Sequence, residues 1–439
     1  MSTLVIIGGG PAGLEAARQA RRAGFEVTLV SGTPAGGRAT MGSLLPSKVW
    51  LHAAAGHGGS DASAIVSHIH ATRSQWIAHN TADMETAGVE FVQGRAVLTG
   101  PHTVDIYADD QADPARTIEA GAIIIATGSE PTFAPDVHPN GQRIIAPRHT
   151  QQLTEIPPHI VFVGGGVTTT EYASAFAALG SRVEVCTRGN RLLARGEADV
   201  AEAITRHLET ERGVQVHRNT TVSRVRQEGD TVLTTTADGK TLESTHAFIA
   251  TGRAADLSCI HAGPADLASR FARRPDGGLV TDANCMTSVA DVYAIGDAAG
   301  GSCTVAKAVF EARTAVQALQ GGHADEADAP DILEAVYSSP EVAWVGPFDS
   351  LPDTDTDEYR IVRRRYSALL ASHIHGSTEG FAKIWVRRHD GVVVAGSVFG
   401  EQAATVGTFI QLACNTGLTI DQLSAIPGGH PTIVELLSV

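Results

Sequence analysis

Leu4-Val5-Ile6-Ile7-Gly8-Gly9-Gly10-Pro11-Ala12-Gly13 is a short β-branched run that ends in glycines; Leu14 to Ala23 then reads as an amphipathic helix, and Glu26 to Val30 as a second strand. The order is strand, glycine turn, helix, strand. Gly8, Gly10 and Gly13 permit a tight turn, close approach of the backbone to a pyrophosphate, and close helix–strand packing, with the helix N-terminus facing the phosphates.

The pattern returns. Ile160-Val161-Phe162-Val163 leads into Gly164-Gly165-Gly166-Val167-Thr168-Thr169-Thr170-Glu171, which opens a second helix, and Arg182 to Cys186 follows as a strand. Each half then closes on the same strand ending, Ile123-Ile124-Ile125-Ala126-Thr127-Gly128 in the first and Phe248-Ile249-Ala250-Thr251-Gly252 in the second. An internal repeat of this form implies two dinucleotide sites.

Composition bounds what such a chain can do. At 439 residues and 43% apolar, it can form two or three domains with their own cores. A formal charge of −15 argues against a nucleic-acid surface, which needs clustered Lys and Arg, and no nucleic-acid partner is expected. Met1-Ser2-Thr3-Leu4 runs straight into a strand without a basic leader, and no apolar run approaches the length of a membrane span, so a cytoplasmic protein without membrane insertion is expected. Cys186, Cys259, Cys285, Cys303 and Cys414 are odd in number and scattered, with no spacing for a metal or a redox couple. They read as reduced, mostly structural thiols.

The segment Gly36-Gly37-Arg38-Ala39-Thr40-Met41-Gly42-Ser43-Leu44-Leu45-Pro46-Ser47-Lys48 resembles the active-site stretch of flavoprotein disulfide reductases such as lipoamide dehydrogenase, glutathione reductase and mercuric reductase. In those enzymes two cysteines stand five apart between a Gly-Gly and a Pro-Ser-Lys. Here those positions are Ala39 and Leu44, and neither can form a thiolate or a disulfide. The order of motifs is similar over nearly the whole chain. Thr287 to Ala299 looks like the second FAD motif, ending in Asp297 as the ribityl ligand, and Tyr337 to Gly346 and Gly429 to Glu435 resemble the interface domain.

The resemblance implies an α/β fold: two Rossmann-like dinucleotide-binding domains, for FAD and NAD(P), plus a C-terminal α+β dimerisation domain. The expected segments are 1–150 and 272–328 for FAD, 151–271 for NAD(P), and 329–439 for the interface. A homodimer follows, with composite sites about a two-fold axis. It also implies FAD contacts from Gly8, Gly10, Gly13, Gly37, Lys48, Thr127, Gly128 and Asp297, and nucleotide contacts from Gly164, Gly166 and Gly252.

Two departures bear on the cofactors. Where an acidic residue ordinarily binds the FAD ribose, this chain has Ser31, a weaker hydrogen-bonding group. At the matching place in the second half stands Thr187, followed by Arg188 and Arg191, which removes repulsion against a 2′-phosphate and supplies a cation for it. NADPH, or both NADPH and NADH, is expected.

Lys48 and Glu171 correspond to the family's ion pair beside flavin N5, where hydride arrives; a compact ammonium there stabilises charge on the flavin. His430 and Glu435 match its acid–base pair, lent to the partner's site. Ala39, Gly42 and Leu44 are expected to line a flat or apolar acceptor pocket. With the sulfur relay gone and the hydride inlet and proton source kept, three readings stand. The first is an NAD(P)H:acceptor oxidoreductase of the quinone-reductase kind; the second, a flavoenzyme dedicated to one metabolite; the third, a non-catalytic flavoprotein sensor. Disulfide reduction ranks behind all three.

Overall fold

The computed structural model describes residues 3–56, 61–108, 111–325, 329–426 and 428–438. The chain divides into two compact units. One comprises Met1–Pro46, Ser67–Thr132 and Gly252–Ala329, and the other Ser47–Val66, Phe133–Thr251 and Pro330–Val439.

The first unit is built on a five-stranded parallel sheet in the order Val292–Ala294, Ala122–Ile125, Thr3–Ile7, Glu26–Ser31, Glu90–Gln93. Leu4, Val5 and Ile6 are fully buried, as a strand covered on both faces must be. One face packs against the helices Pro11–Arg22 and Val305–Leu319 through Leu14, Ala17, Ala312 and Val316. The other packs against an antiparallel meander, Arg95–Leu98, Thr103–Tyr107 and Arg116–Glu119, through Leu98, Val104 and Ile118. Pro11 occupies the first position of its helix, where its missing N–H costs nothing.

The second unit repeats the parallel design in the order Gln215–His217, Arg182–Cys186, His159–Val163, His246–Ile249, Ile144–Ile145, with the helix Val167–Ala178 leaving the glycine turn. It also holds a five-stranded antiparallel sheet, Glu334–Val336, Glu341–Val345, Val393–Gly400, Phe381–Arg387, Tyr359–Arg365, packed on the helix Ala403–Thr416. The two parts are joined by a buried ionic cluster. Lys383, fully buried, donates to Glu197 at 2.9 Å and lies 3.0 Å from Asp199, while Ser397 donates to the other Glu197 oxygen at 3.0 Å. No helix among the described residues is long and apolar enough to cross a membrane.

Candidate active site and cofactor cradles

The two glycine turns have the same geometry. Gly8 has φ +116° and Gly164 φ +119°, and a Cβ on either would stand 2.2 Å from a backbone oxygen, of Ala126 and Ala250 respectively. Only glycine fits there. Gly13 is excluded from any larger residue by the Gly8 carbonyl, 1.9 Å from where its Cβ would be, whereas nothing lies within 4 Å of that point at Gly10 or Gly166. Each turn therefore has one glycine facing open space at the start of a helix, the concavity that a pyrophosphate requires.

Around the first turn the structure gathers Ser31, Gly37, Thr127, Gly128 and Asp297. Gly37 abuts Gly10, with a hypothetical Cβ 2.5 Å from the Gly10 Cα. Thr127 donates to the Asp256 carbonyl at 2.6 Å, and Gly128 has φ +76°. Asp297 accepts a 2.5 Å bond from Ser129, whose hydroxyl accepts in turn from Arg253 at 2.7 Å. Ser31 is buried beside Gly9, but its hydroxyl donates to the Thr33 carbonyl at 2.8 Å. Gly252, φ +127°, stands across from Thr132 instead. The glycine cradle fits FAD; Ser129 and Arg253, which orient Asp297, have no signature in local spacing.

In the second turn Thr187 is buried, receives the Gly189 amide at 3.2 Å, and would be struck by any side chain at Gly165. Arg188 is exposed and makes no ion pair among the described residues, and the Nε of Arg191 is buried without a hydrogen-bond partner there. Arg218, by contrast, is spent on a two-point pair with Glu209 at 2.6 and 2.7 Å. The glycine concavity fits a dinucleotide such as NAD(P)H, and Arg188 and Arg191 follow the strand Arg182–Cys186 in sequence.

Lys48, on the helix Leu45–Ala54, lies 2.7 Å from both Glu171 carboxylate oxygens. Glu171 is buried and also accepts the Tyr337 amide at 3.1 Å. The Lys48 ammonium lies 4.7 Å from the centroid of the Tyr337 ring. Partial burial, with Glu341 and Glu171 nearby, lifts the Tyr337 phenol above its ordinary range, so it is neutral. The motif containing Tyr337 is visible in the sequence; its place over Lys48 is not.

Between these regions of sequence the chain runs helically from Gly37 to Ala54, but Thr40–Leu44 forms a π turn. Ala39 and Leu44 are both exposed, Leu44 by 41%, while Gly42 is half-buried. The five cysteines lie elsewhere in the chain and all are free. Burial pushes Cys186, Cys259, Cys285 and Cys414 up to about 12. Cys303 is pushed up to about 11 by the protein packed around its sulfur and by the Asp297 carboxylate. A thiol in that range is not a thiolate at neutral pH.

His430 and Glu435 form a separate exposed pair. The imidazole Nδ1 is 2.8 Å from one Glu435 oxygen, and the other accepts the Thr432 amide at 2.8 Å. The Thr432 amide and His430 hold the Glu435 carboxyl below its ordinary range. With Nδ1 committed to a carboxylate, Nε2 is the nitrogen left to exchange a proton. No hydrogen bond or ion pair among the described residues joins this pair to Lys48 or Glu171.

Residues 2–318 match the family described as pyridine nucleotide-disulphide oxidoreductase, and residues 332–438 match its dimerisation domain. A dihydrolipoyl dehydrogenase of Chlorobaculum parvum is 30% identical, over 98% of this chain and 94% of its own. An NAD(P)H dehydrogenase (quinone) of Mycobacterium tuberculosis is 28% identical, over 99% and 92%. The crystal structure of LpdA from Mycobacterium tuberculosis superposes with a TM-score of 0.92 at 26% identity, covering 100% of this chain and 98% of that one.

Proposed function

The chain belongs to the pyridine nucleotide-disulphide oxidoreductase family, an oxidoreductase with FAD and NAD(P)H as cofactors, and we propose that it passes electrons directly from flavin to a small acceptor of the quinone type. The observation that carries this reading is the absence of sulfur at positions 39 and 44, where the resembling enzymes hold their redox pair. A disulfide substrate is reduced by a thiolate, and neither Ala39 nor Leu44 can form one. A quinone takes up two electrons and two protons and needs no sulfur. The quinone-reducing relative from Mycobacterium tuberculosis supports the same class of acceptor.

FAD, when bound, supplies the two-electron chemistry, taking hydride from NAD(P)H and releasing electrons to the acceptor. The residues of the chain do the rest. The cradle at Gly164 to Gly166 binds the nucleotide, with Arg188 and Arg191 favouring NADPH. Lys48, fixed by Glu171, holds a positive charge for the nicotinamide and flavin to meet. His430, oriented by Glu435, holds a proton at Nε2 for the acceptor, supplied across the interface of a cytoplasmic homodimer formed through residues 329–439. The remaining domains in this reading are 1–150 and 272–328 for FAD and 151–271 for NAD(P).

Steady-state oxidation of NADPH with water-soluble quinones, lipoamide and glutathione disulfide tests the proposal. The expected kcat/KM for the best quinone exceeds that for either disulfide by about a hundredfold or more. Comparable turnover with a disulfide would overturn it, and one specific metabolite far outpacing every quinone would assign the flavin to that substrate instead.

A further inference from the structure

Arg38 stands between the glycine pair and Ala39, and its guanidinium reaches three groups. Nη1 pairs with Glu130, while Nη2 pairs with Asp256 and donates to the Thr127 carbonyl at 3.1 Å. All belong to the same compact unit. Glu130 and Asp256 are carried on one braced ribbon, because Ser129–Pro131 and Arg253–Ala255 pair antiparallel and Thr127 closes onto the Asp256 carbonyl. Asp256 is the stronger partner. Its side chain is 14% exposed against 47% for Glu130, and it also accepts the Ser258 amide at 3.0 Å. Burial raises its proton affinity, but hydrogen bonds from Ser258 and Arg38 outweigh burial and hold the carboxyl below its usual range. An exposed pair such as that with Glu130 contributes little on its own; the buried carboxylate and the carbonyl give the fork its hold.

Directly after Arg38 the backbone widens into the π turn Thr40–Leu44, a winding seldom stable without outside support. In the resembling enzymes a covalent bond between the residues at positions 39 and 44 would restrain this stretch. Ala39 and Leu44 cannot supply that restraint, and within the turn the Ser43 hydroxyl donates to the Ala39 carbonyl at 3.0 Å. A planar guanidinium fixed at several points is the side chain best suited to anchor the entrance to such a segment; a lysine offers no fork.

We propose that Arg38 is a positioning residue that braces the π-wound segment 40–44 in place of a cystine and thereby shapes the acceptor site. The second half of this rests on reading that segment as the surface the acceptor meets.

Hydrogen–deuterium exchange on the FAD-loaded, full-length chain tests it, with Arg38→Met, Arg38→Lys and Asp256→Asn beside wild type. Exchange of amides 40–44 is expected to speed up about tenfold in Arg38→Met, with smaller increases in the other two, while the sheet strands keep their protection. The quinone KM is expected to rise about fivefold in Arg38→Met, more than kcat falls. Unchanged exchange at 40–44 in a variant that retains FAD, or acceleration spread evenly over the chain, would overturn the brace. Should Arg38→Met lose FAD altogether, Asp256→Asn carries the same reading with the same two outcomes. Faster exchange with an unaltered quinone KM would leave the brace standing and overturn its link to the acceptor.

Discussion

Lys48 and Glu171, 123 residues apart in sequence, meet with the ammonium 2.7 Å from both carboxylate oxygens, and the Tyr337 amide adds a 3.1 Å bond to the same carboxylate. The arrangement fixes the Lys48 ammonium, on the helix Leu45–Ala54, against a buried carboxylate. Lys48→Met is expected to slow NADPH-driven bleaching of the flavin by about a hundredfold, and Lys48→Arg to recover only part of that, since a planar fork does not reproduce a point charge. Glu171→Gln should slow the same step less, and the double replacement should cost less than the two singles summed. Stopped-flow absorbance measures all four. A Lys48→Met enzyme bleached at the wild-type rate would remove the pair from the reaction.

Arg188 is exposed and unpaired among the described residues, and Arg191 has a buried Nε without a partner. Replacing both by Ala should raise the KM for NADPH about tenfold and leave that for NADH within about twofold, because only the 2′-phosphate loses its counter-charge. Parallel initial-rate measurements with the two nucleotides decide it. A wild-type enzyme far more efficient with NADH would refute the preference.

The cysteines give a pH signature. Cys186, Cys259, Cys285 and Cys414 bind their protons more tightly folded, with values of about 12, than an unfolded thiol does. Their contribution to stability is therefore complete below about pH 8.5 and is lost as pH climbs from there toward the folded values. Thermal unfolding followed from pH 7 to pH 11 should show a falling Tm only at the alkaline end. Iodoacetamide labelling at pH 7.5 should be slow at every cysteine and should not increase when NADPH is added. A pair of thiols that appears on reduction would mean a hidden disulfide.

Lys383 is fully buried between Glu197 and Asp199, with Glu197 itself 3% exposed. Lys383→Met strands a buried carboxylate and should cost about 3 kcal/mol or more in urea unfolding, whereas combining it with Glu197→Gln should recover part of the loss. An additive double variant would mean that the groups do not sense each other.

How much of this was legible follows from how far each feature reaches along the chain. The glycine turns are set by a few consecutive residues, so Gly8 and Gly164 announce both turns, the strands before them and the first helix fall within a few residues of their expected bounds, and the second helix starts at its turn. The missing sulfur at Ala39 and Leu44 is equally local. Partners far apart in sequence left no such trace. The resemblance picks out Lys48, but nothing in the strand that carries Lys383 distinguishes a buried ammonium from a surface one. Arg38 reads as an ordinary basic residue until the fold carries Glu130 and Asp256, 92 and 218 residues away, to its guanidinium. The π turn is likewise invisible, because it depends on what holds the segment and not on its helix propensity.

Anaerobic titration of the purified flavoprotein with NADPH addresses the central claim most directly. If flavin is the whole electron store, one equivalent of NADPH per FAD bleaches it completely, no long-wavelength thiolate charge-transfer band develops, and an added quinone restores the oxidised spectrum. Uptake of two equivalents, with such a band appearing at the first, would reveal a redox-active disulfide and contradict the account.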